Sequence, residues 1–279
     1  MIRLGLIGYP LGHSLSPKIH TAALQACGLQ GDYSLFPVHP EDIQGLKDLL
    51  ARVRTGEISG LNVTIPHKQN VIELMDELTP TAQAIGAINT IYLRENKLIG
   101  DNTDAQGFLS DLKRFLTLEC DSLLSQKNAL ILGAGGSARA VVYALLNDGW
   151  DVTVAARRIE QAGQLVNSFP SRKVKAITFT GLQSSTFDLL VNATPIGMTP
   201  NIDQPPWPVD LSLPNAVIYD LVYNPRETKL VKDARAQGLN ATTGLGMLIE
   251  QAALAFEIWT GHNPPRNILI ESVSTPYLT

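Results

Sequence analysis

The fold of the second half of this 279-residue chain is decided by the stretch Leu130-Ile-Leu-Gly133-Ala-Gly135-Gly136-Ser-Ala138. Three apolar residues, typical of a buried strand, lead into a glycine turn, and a segment rich in Ala, Val and Leu follows. In such a turn the first glycine permits a tight bend, and the second lets backbone N–H groups approach a pyrophosphate. Ala138 replaces the usual third glycine where helix and strand meet. The stretch predicts a dinucleotide-binding turn that uses Gly133, Ala134, Gly135, Gly136 and Ser137.

The end of the next predicted strand indicates which dinucleotide binds. A site for NAD usually places Asp or Glu there, about 20 residues after the glycines. This chain instead has Ala155-Ala156-Arg157-Arg158. A guanidinium matches a phosphate in charge and hydrogen-bond geometry, whereas a carboxylate repels it. We therefore favour NADP over NAD, with Ala156, Arg157 and Arg158 at the adenosine phosphate; the alternative is that both arginines are ordinary surface residues.

Strands and helices alternate on both sides of this turn, which predicts an α/β protein. In the second half the pattern is that of a doubly wound Rossmann-type domain, with strands at 129–132, 151–155, 174–179, 187–191 and 217–220 and helices at 137–147 and 160–169. In the first half we predict strands at 4–8, 33–38, 61–65 and 88–93, helices from Pro17, at 41–54 and at 67–78, and a hairpin turn at 95–97. The tail after Gly244 is predicted to be helical and to return to the first domain.

Two domains therefore follow, the first made of residues 1–105 and 245–279 and the second of residues 106–244. The chain changes character across residues 120–127, where a new apolar run begins. A length of 279 residues fits two domains of ordinary size.

Two polar runs at predicted strand ends form a candidate active site. In Gly60-Leu-Asn-Val-Thr-Ile-Pro-His-Lys68 the apolar and polar residues alternate as in a half-buried strand, which Pro66 ends. Lys68 is therefore expected at a cleft. The run Gly100-Asp-Asn-Thr-Asp104 follows a strand and precedes an amphipathic segment, so we expect it on a loop. Taken alone, such a lysine is most often a solvated surface residue, and such an aspartate is most often a helix N-cap.

The composition excludes several classes of protein. Hydrophobic residues make up 44% and charged residues 17%, and the net charge is −4. No basic stripe stands out beyond Arg157, Arg158 and the patch 172–175, which argues against a nucleic-acid partner. The two cysteines, Cys27 and Cys120, form no paired motif, and the five histidines have no ligand spacing, so neither a disulfide framework nor a metal site is expected. Without a signal peptide or membrane span, we expect a soluble cytoplasmic protein.

Taken together, the motifs resemble the shikimate dehydrogenase family over essentially the whole chain. Their order and spacing match the family, which makes the resemblance specific even though each motif alone is common. The matching pieces are Gly12-His-Ser14-Leu-Ser16-Pro, Asn62-Val-Thr64-Ile-Pro-His-Lys68, Gly86-Ala-Ile-Asn89-Thr, Gly100-Asp-Asn-Thr-Asp104, Gly133-Ala-Gly-Gly-Ser-Ala138, Asn192-Ala-Thr194-Pro and Gly244-Leu-Gly-Met-Leu-Ile-Glu-Gln251.

The resemblance implies NADP-linked interconversion of shikimate and 3-dehydroshikimate, a step towards aromatic precursors. It implies that the first domain binds substrate and that the second binds NADP. We expect a monomer or homodimer, although the sequence does not give the oligomeric state. Lys68 and Asp104 match the catalytic pair. Ser14, Ser16 and Tyr223 match residues at the substrate carboxylate, and Asn62, Thr64, Asn89 and Gln251 match those that bind ring hydroxyls. Leu221 and Gly244 match positions beside the nicotinamide.

Some alternatives stay open at this point. The family commonly has Asn-Arg-Thr where this chain has Ala156-Arg157-Arg158, so the strictness of the NADP preference is open. Lys68 takes the substrate proton if it is neutral, or stabilises an alkoxide if it is charged. Rival functions are a quinate-accepting relative with looser cofactor use, a folate-linked methylene dehydrogenase on the same plan, and a non-catalytic NADP sensor. The two serines before Pro17 are, in the simplest reading, a helix cap.

Overall fold

The computed structural model describes residues 1–119, 126–170, 173–179, 182 and 186–274. It divides into two compact units, one formed by Met1–Gly107 with Ile249–Thr279 and the other by Phe108–Leu248. The divisions fall two and four residues from the expected positions. Most of the change of composition at 120–127, including Cys120, lies outside the described residues, as does Arg172.

The first unit alternates strands and helices before a hairpin, and it ends with two helices. Its elements are β1 Ile2–Gly8, α1 Ser16–Ala26, β2 Gly31–Pro37, α2 Ile43–Arg54, β3 Gly60–Val63, α3 His67–Asn70, a 3-10 turn Ile72–Leu74, β4 Glu77–Leu78, α4 Pro80–Ile85, β5 Thr90–Arg94 and β6 Lys97–Asp101. The boundaries between units fall within α5 Asp104–Glu119 and α9 Leu245–Thr260, and α10 Arg266–Ser274 follows.

The strands of the first unit form one mixed sheet in the order β2-β1-β3-β5-β6-β4. β1 is parallel to β2 and β3, while β5 is antiparallel to both β3 and β6. Thr90 at the start of β5 therefore pairs with Asn62 near the end of β3 and with Asp101 at the end of β6. The residues that follow β3, precede β5 and follow β6 meet at the same edge of the sheet, and those residues include Lys68, Asn89 and Asp104.

α2 packs its apolar side chains against one face of this sheet. Leu46, Leu50 and Val53 recur at helical spacing on α2 and are buried against Leu61 and Ile91 of the sheet. Asp42 caps α2 by accepting a hydrogen bond from the Gly45 backbone N–H at 2.8 Å. This helix therefore begins at Ile43, two residues after the expected start.

The second unit carries a fully parallel sheet with helical crossovers. Its elements are β7 Asn128–Leu132, α6 Gly136–Asn147, β8 Asp151–Ala155, α7 Ile159–Asn167, β9 Val174–Ile177, β10 Leu189–Asn192, β11 Val217–Asp220, α8 Lys229–Ala236 and β12 Ala241–Thr243. The strands run β12-β11-β10-β7-β8-β9, so the order reverses between β7 and β10. That is the strand order of a Rossmann domain, in which a dinucleotide binds at the reversal. The predicted fold class is confirmed.

One predicted element is wrong, and several were missed. The helix expected at 67–78 ends after one turn, because Asp76 pairs with the distant Leu98. The Asp76 backbone N–H donates to the Leu98 carbonyl at 3.0 Å, and its carboxylate accepts from the Leu98 N–H at 2.7 Å. The segment therefore joins the sheet as β4 beside β6. The short elements α4, α8 and β12 were also not predicted.

No helix in the described part of the chain is both long and apolar enough to cross a membrane.

Candidate active site and cofactor site

A buried ion pair lies at the edge of the first sheet. The Lys68 Nζ atom is 2.6 Å from Oδ2 of Asp104, and the two side chains are 11% and 6% exposed. Lys68 is held because its own carbonyl accepts a hydrogen bond from the Ile88 N–H at 2.7 Å, and the neighbouring His67 ring contacts the Val38 carbonyl at 2.7 Å. A charged pair with this little exposure is uncommon unless it has a function or further hydrogen bonds.

Asn89 supplies the further hydrogen bonds. Its Nδ2 group donates to Oδ1 of Asp104 at 2.9 Å and to Oε1 of Gln251 at 3.2 Å. Its Oδ1 atom accepts from the Thr103 backbone N–H at 2.8 Å and from the Thr90 hydroxyl at 2.9 Å. Both carboxylate oxygens of Asp104 are thus engaged, Oδ2 by Lys68 and Oδ1 by Asn89. The network fixes the direction of the carboxylate towards the lysine.

The Asn102 side chain caps the N-terminus of α5, and Asp104 is the first residue of that helix. The Asn102 Oδ1 atom accepts from the backbone N–H groups of Asp104 at 3.1 Å and Ala105 at 3.3 Å. The Asp104 carboxylate lies in the first turn of the helix, where the helix dipole favours negative charge. Within the run 100–104, the Asn102 amide therefore caps the helix, and the Asp104 carboxylate contacts Lys68.

The other polar residues predicted in this unit lie on neighbouring elements. Asn62 is buried on β3, and Thr64 follows that strand, half-buried. Ser16 opens α1, and its backbone N–H donates to the Ser14 hydroxyl at 3.2 Å. The residue at the N-cap position is Leu15, which provides no side-chain hydrogen bond. Ser14 thus makes a local turn contact, and neither serine occupies the N-cap position itself.

The glycine turn of the second unit has the geometry that the sequence predicted. Gly133 has a φ of +107°, and a Cβ atom there would lie 2.9 Å from Cγ2 of Thr194. A Cβ atom on Gly135 would meet nothing within 4 Å. α6 begins at Gly136, and its N-cap, Gly135, offers no side-chain hydrogen bond to the first N–H groups. These donors face the point where the strand order reverses, which fits a pyrophosphate.

Two exposed arginines follow β8. Ala156 is buried, while Arg157 and Arg158 are exposed, and neither guanidinium forms an ion pair or side-chain hydrogen bond within the part of the chain that the structure describes. No carboxylate among the described residues competes for them. A pair of guanidiniums at this position suits a phosphate on the adenosine ribose, so the residues present fit NADP.

A buried carboxylate links the loops after β10 and β11. Asp220 accepts hydrogen bonds from Asn192 Nδ2 at 2.8 Å, from the Val222 N–H at 3.0 Å and from the Thr228 hydroxyl at 2.7 Å. Burial raises the pKa of the Asp220 carboxyl to about 6, although these three bonds oppose the shift. The network fixes the loop that carries Leu221 and Tyr223, and burial also raises the pKa of the Tyr223 hydroxyl.

We expect Asp220 to make the protein less stable as the pH rises. The folded state holds this proton more tightly than the unfolded chain does, so the stabilisation is complete below the usual pKa of 3.8 and is lost as pH rises through about 6. Between about pH 4.5 and about pH 7.5 the loss is about 2 kcal/mol. Urea unfolding of wild type and Asp220→Asn at both pH values measures it. The wild type should lose free energy of unfolding relative to the variant; parallel profiles would contradict the expectation.

Three family models match the chain in order. The model described as "Shikimate dehydrogenase substrate binding domain" matches residues 6–91, "Shikimate / quinate 5-dehydrogenase" matches residues 117–217, and "Shikimate 5'-dehydrogenase C-terminal domain" matches residues 244–273. The shikimate dehydrogenase (NADP(+)) of Bacillus subtilis is 38% identical over 264 residues, which cover 93% of this chain and 92% of the relative. The chain belongs to the shikimate dehydrogenase family.

Other members of the shikimate dehydrogenase family are similar to the same extent. The enzyme of Methanopyrus kandleri, named shikimate dehydrogenase (NADP(+)), is 42% identical over 97% of this chain and 94% of the relative. The crystal structure of shikimate 5-dehydrogenase from Thermus thermophilus, in complex with NADP(H) and shikimate, is 38% identical, covers 98% of both chains and has a TM-score of 0.85.

The structure brings most positions that match the family's substrate and catalytic residues into the first unit. Lys68, Asp104, Asn89 and Gln251 lie in one hydrogen-bonded network, although Gln251 of α9 is 162 residues from Asn89 in sequence. Tyr223 lies in the second unit. Leu221 and Gly244, which match positions beside the nicotinamide, are adjacent there, and a Cβ atom on Gly244 would clash with the Leu221 carbonyl. The assignment of these residues as site residues stays a prediction.

Sequence reasoning did not single out several residues that hold this site. Thr103 bridges the network, because its hydroxyl donates to the Gln251 carbonyl at 3.1 Å and accepts from Asn89 at 2.9 Å. Tyr33 donates to Asn62 at 2.8 Å. Thr103 lies in a run that the sequence did highlight, so its position beside Asp104 was a usable signal. Tyr33 is 29 residues from its partner, and no local pattern pointed to it.

Proposed function

We propose that this chain is an NADP-dependent shikimate dehydrogenase, which reversibly reduces 3-dehydroshikimate to shikimate. The observation that carries the proposal is the 2.6 Å contact of Lys68 with Asp104, buried at a sheet edge and surrounded by neutral polar side chains. Shikimate is a small carboxylate with three ring hydroxyls, so its recognition needs fixed donors and acceptors more than a large apolar pocket. Asn62, Thr64, Asn89 and Gln251 supply them.

NADP, when bound, supplies the hydride chemistry. The residues of the chain manage the proton. In the reduction, the carbonyl oxygen of the substrate gains negative charge, and the Lys68 ammonium donates a proton to it, so that an O–H bond forms as an N–H bond breaks. The amine left behind stays beside Asp104. Oxidation runs the same transfer backwards, with the neutral amine of Lys68 taking the alcohol proton.

Asp104 and Asn89 prepare Lys68 for this role. The carboxylate fixes the ammonium at 2.6 Å, and Asn89 at 2.9 Å prevents the carboxylate from turning away. Because both side chains of the pair are mostly buried, their charges act on a substrate oxygen more strongly than they would in water. In the second unit, Gly133 to Ser137 would hold the pyrophosphate, and Arg157 with Arg158 the ribose phosphate.

An absorbance assay of NADPH formation from shikimate tests the proposal. We expect turnover with shikimate and NADP, and much less with quinate or with NAD. Comparable rates on quinate would favour the quinate-accepting alternative. Binding of NADP without turnover of either substrate would favour the non-catalytic sensor.

The proposal includes a cytoplasmic location. The free thiol of Cys27 supports it, because such compartments keep thiols reduced. The proposal also includes a monomeric or homodimeric state, which light scattering would measure.

A further inference from the structure

A buried aromatic pair lies behind Asn62, and the chemistry described above does not use it. His20 of α1 is fully buried, and its ring stacks on Tyr33 of β2 with centroids 4.3 Å apart and an interplanar angle of 1°. The Tyr33 hydroxyl donates to Oδ1 of Asn62 at 2.8 Å. Phe256 and Trp259 of α9 also contact the His20 ring. The stack therefore holds the tyrosine ring in one place.

The hydrogen bonds of Asn62 define which end of its amide points inward. An asparagine side chain has one acceptor oxygen and two N–H donors. The oxygen accepts from Tyr33, and one N–H donates to the Asn89 carbonyl at 3.1 Å. Burial lowers the pKa of His20 to about 3, although the Asn62 side chain opposes the shift, so the ring stacked on Tyr33 is uncharged near neutral pH. No described residue accepts a hydrogen bond from the second N–H of Asn62, so we assign that N–H to a ligand.

We propose that Tyr33 is a positioning residue, which fixes the Asn62 amide with its oxygen inward and thereby makes Asn62 an N–H donor to a substrate hydroxyl oxygen. This inference rests on the proposed function and deepens it. Without the Tyr33 hydroxyl, the two orientations of the amide are closer in energy, and the orientation that points oxygen at the ligand offers no donor. We expect Asn62 to bind a substrate hydroxyl other than the one that reacts. An interaction of that kind contributes equally to the ground state and the transition state, so its loss raises KM and leaves kcat unchanged.

The variant Tyr33→Phe removes only the hydroxyl and keeps the stack on His20. We expect the KM for shikimate to rise about fivefold to tenfold, the range for loss of one buried hydrogen bond, with kcat and the KM for NADP unchanged. Tyr92→Phe is the matched control, because Tyr92 lies on β5 of the same sheet and its hydroxyl forms no hydrogen bond to the residues described. Its KM should stay at the wild-type value.

A double-mutant cycle with Asn62→Ala separates positioning from a general structural role. If Tyr33 acts through Asn62, adding Tyr33→Phe to Asn62→Ala should raise the KM no further. Additive effects would overturn the inference, as would an unchanged KM in Tyr33→Phe. A lowered kcat with a lowered Tm would assign Tyr33 to folding and overturn it as well.

Calorimetric titration with shikimate repeats the cycle without turnover. A wild-type protein that binds shikimate but does not oxidise it would contradict the proposed function alone, and the Kd values would still decide the role of Tyr33. A wild-type protein that binds no shikimate would overturn both.

Discussion

Lys68→Ala is expected to lower kcat for shikimate oxidation about 100- to 10,000-fold, the range for loss of a general acid–base group, with little change in the KM for shikimate. The Lys68 amine takes the alcohol proton and stabilises charge that appears on oxygen only as the reaction proceeds. An interaction made mainly in the transition state affects kcat more than KM. Steady-state kinetics with NADP in excess measure both constants. A kcat near the wild-type value with a raised KM would make Lys68 a binding residue.

The fold must be checked in the same variant, because the substitution leaves the Asp104 carboxylate buried beside Asn89 without its cation. Circular dichroism and Tm show whether the variant is folded. Lys97→Ala is the matched control, since Lys97 forms an exposed ion pair with Glu77 in the same unit. We expect it to change kcat by less than about twofold and stability by less than about 1 kcal/mol.

The pair should also behave as one unit. Asp104→Asn alone is expected to lower kcat, since it removes the charge that holds the Lys68 ammonium in place. Added to Lys68→Ala, it should have little further effect, because groups that act together are not additive. Independent, multiplied losses would indicate that Asp104 serves the reaction without Lys68.

The sequence predicted the second unit well because its strands are buried on both faces. β8 Asp151–Ala155 and β11 Val217–Asp220 have the predicted bounds residue for residue. Buried parallel strands are nearly continuous apolar runs, so the local pattern reports them clearly. The glycine turn adds a second local signal. α8 also has a local signal, because the hydroxyl of its N-cap Thr228 accepts from the Val231 N–H. The helix was nevertheless missed, because a short amphipathic helix gives a weak periodic pattern.

Pairing between distant residues could not be predicted in the same way. In residues 71–78, the spacing of Val71, Ile72 and Leu74 predicts a helix. The hydrogen bonds of Asp76 to Leu98, 22 residues away, end the helix instead. The candidate site shows the same limit. Lys68 and Asp104 were expected together because both follow strands of one sheet, whereas the contact of Asn62 with Tyr33 depends on the register of β1, β2 and β3. Local sequence patterns predict the helices and strands, whereas the strand register decides which side chains contact each other.

Arg157→Ala is expected to raise the KM for NADP about 10- to 100-fold, the range for loss of a charge-assisted contact, while the KM for NAD changes little. The guanidinium is exposed and has no ion pair within the described ranges, so its removal costs the fold almost nothing. What is lost is an interaction with the ribose phosphate that only NADP carries. Kinetics with each nicotinamide at saturating shikimate measure the ratio of kcat/KM values, which should move towards NAD.

Two comparisons make this experiment specific. Arg158→Ala reports which of the neighbouring arginines carries the contact, since Arg158 is the N-cap of α7 whereas Arg157 lies in the turn before it. Lys175→Ala on β9 removes an exposed positive charge from the same unit without altering the turn after β8. If Lys175→Ala raised the KM for NADP as much as Arg157→Ala did, the preference would come from the general field of the unit. Salt at 0.1 M screens exposed charges that lie more than about 10 Å apart, whereas opposite charges in direct contact are closer than this length and keep more of their attraction. A preference that persists at high salt in the wild type and is lost in Arg157→Ala would therefore place the phosphate on Arg157 itself.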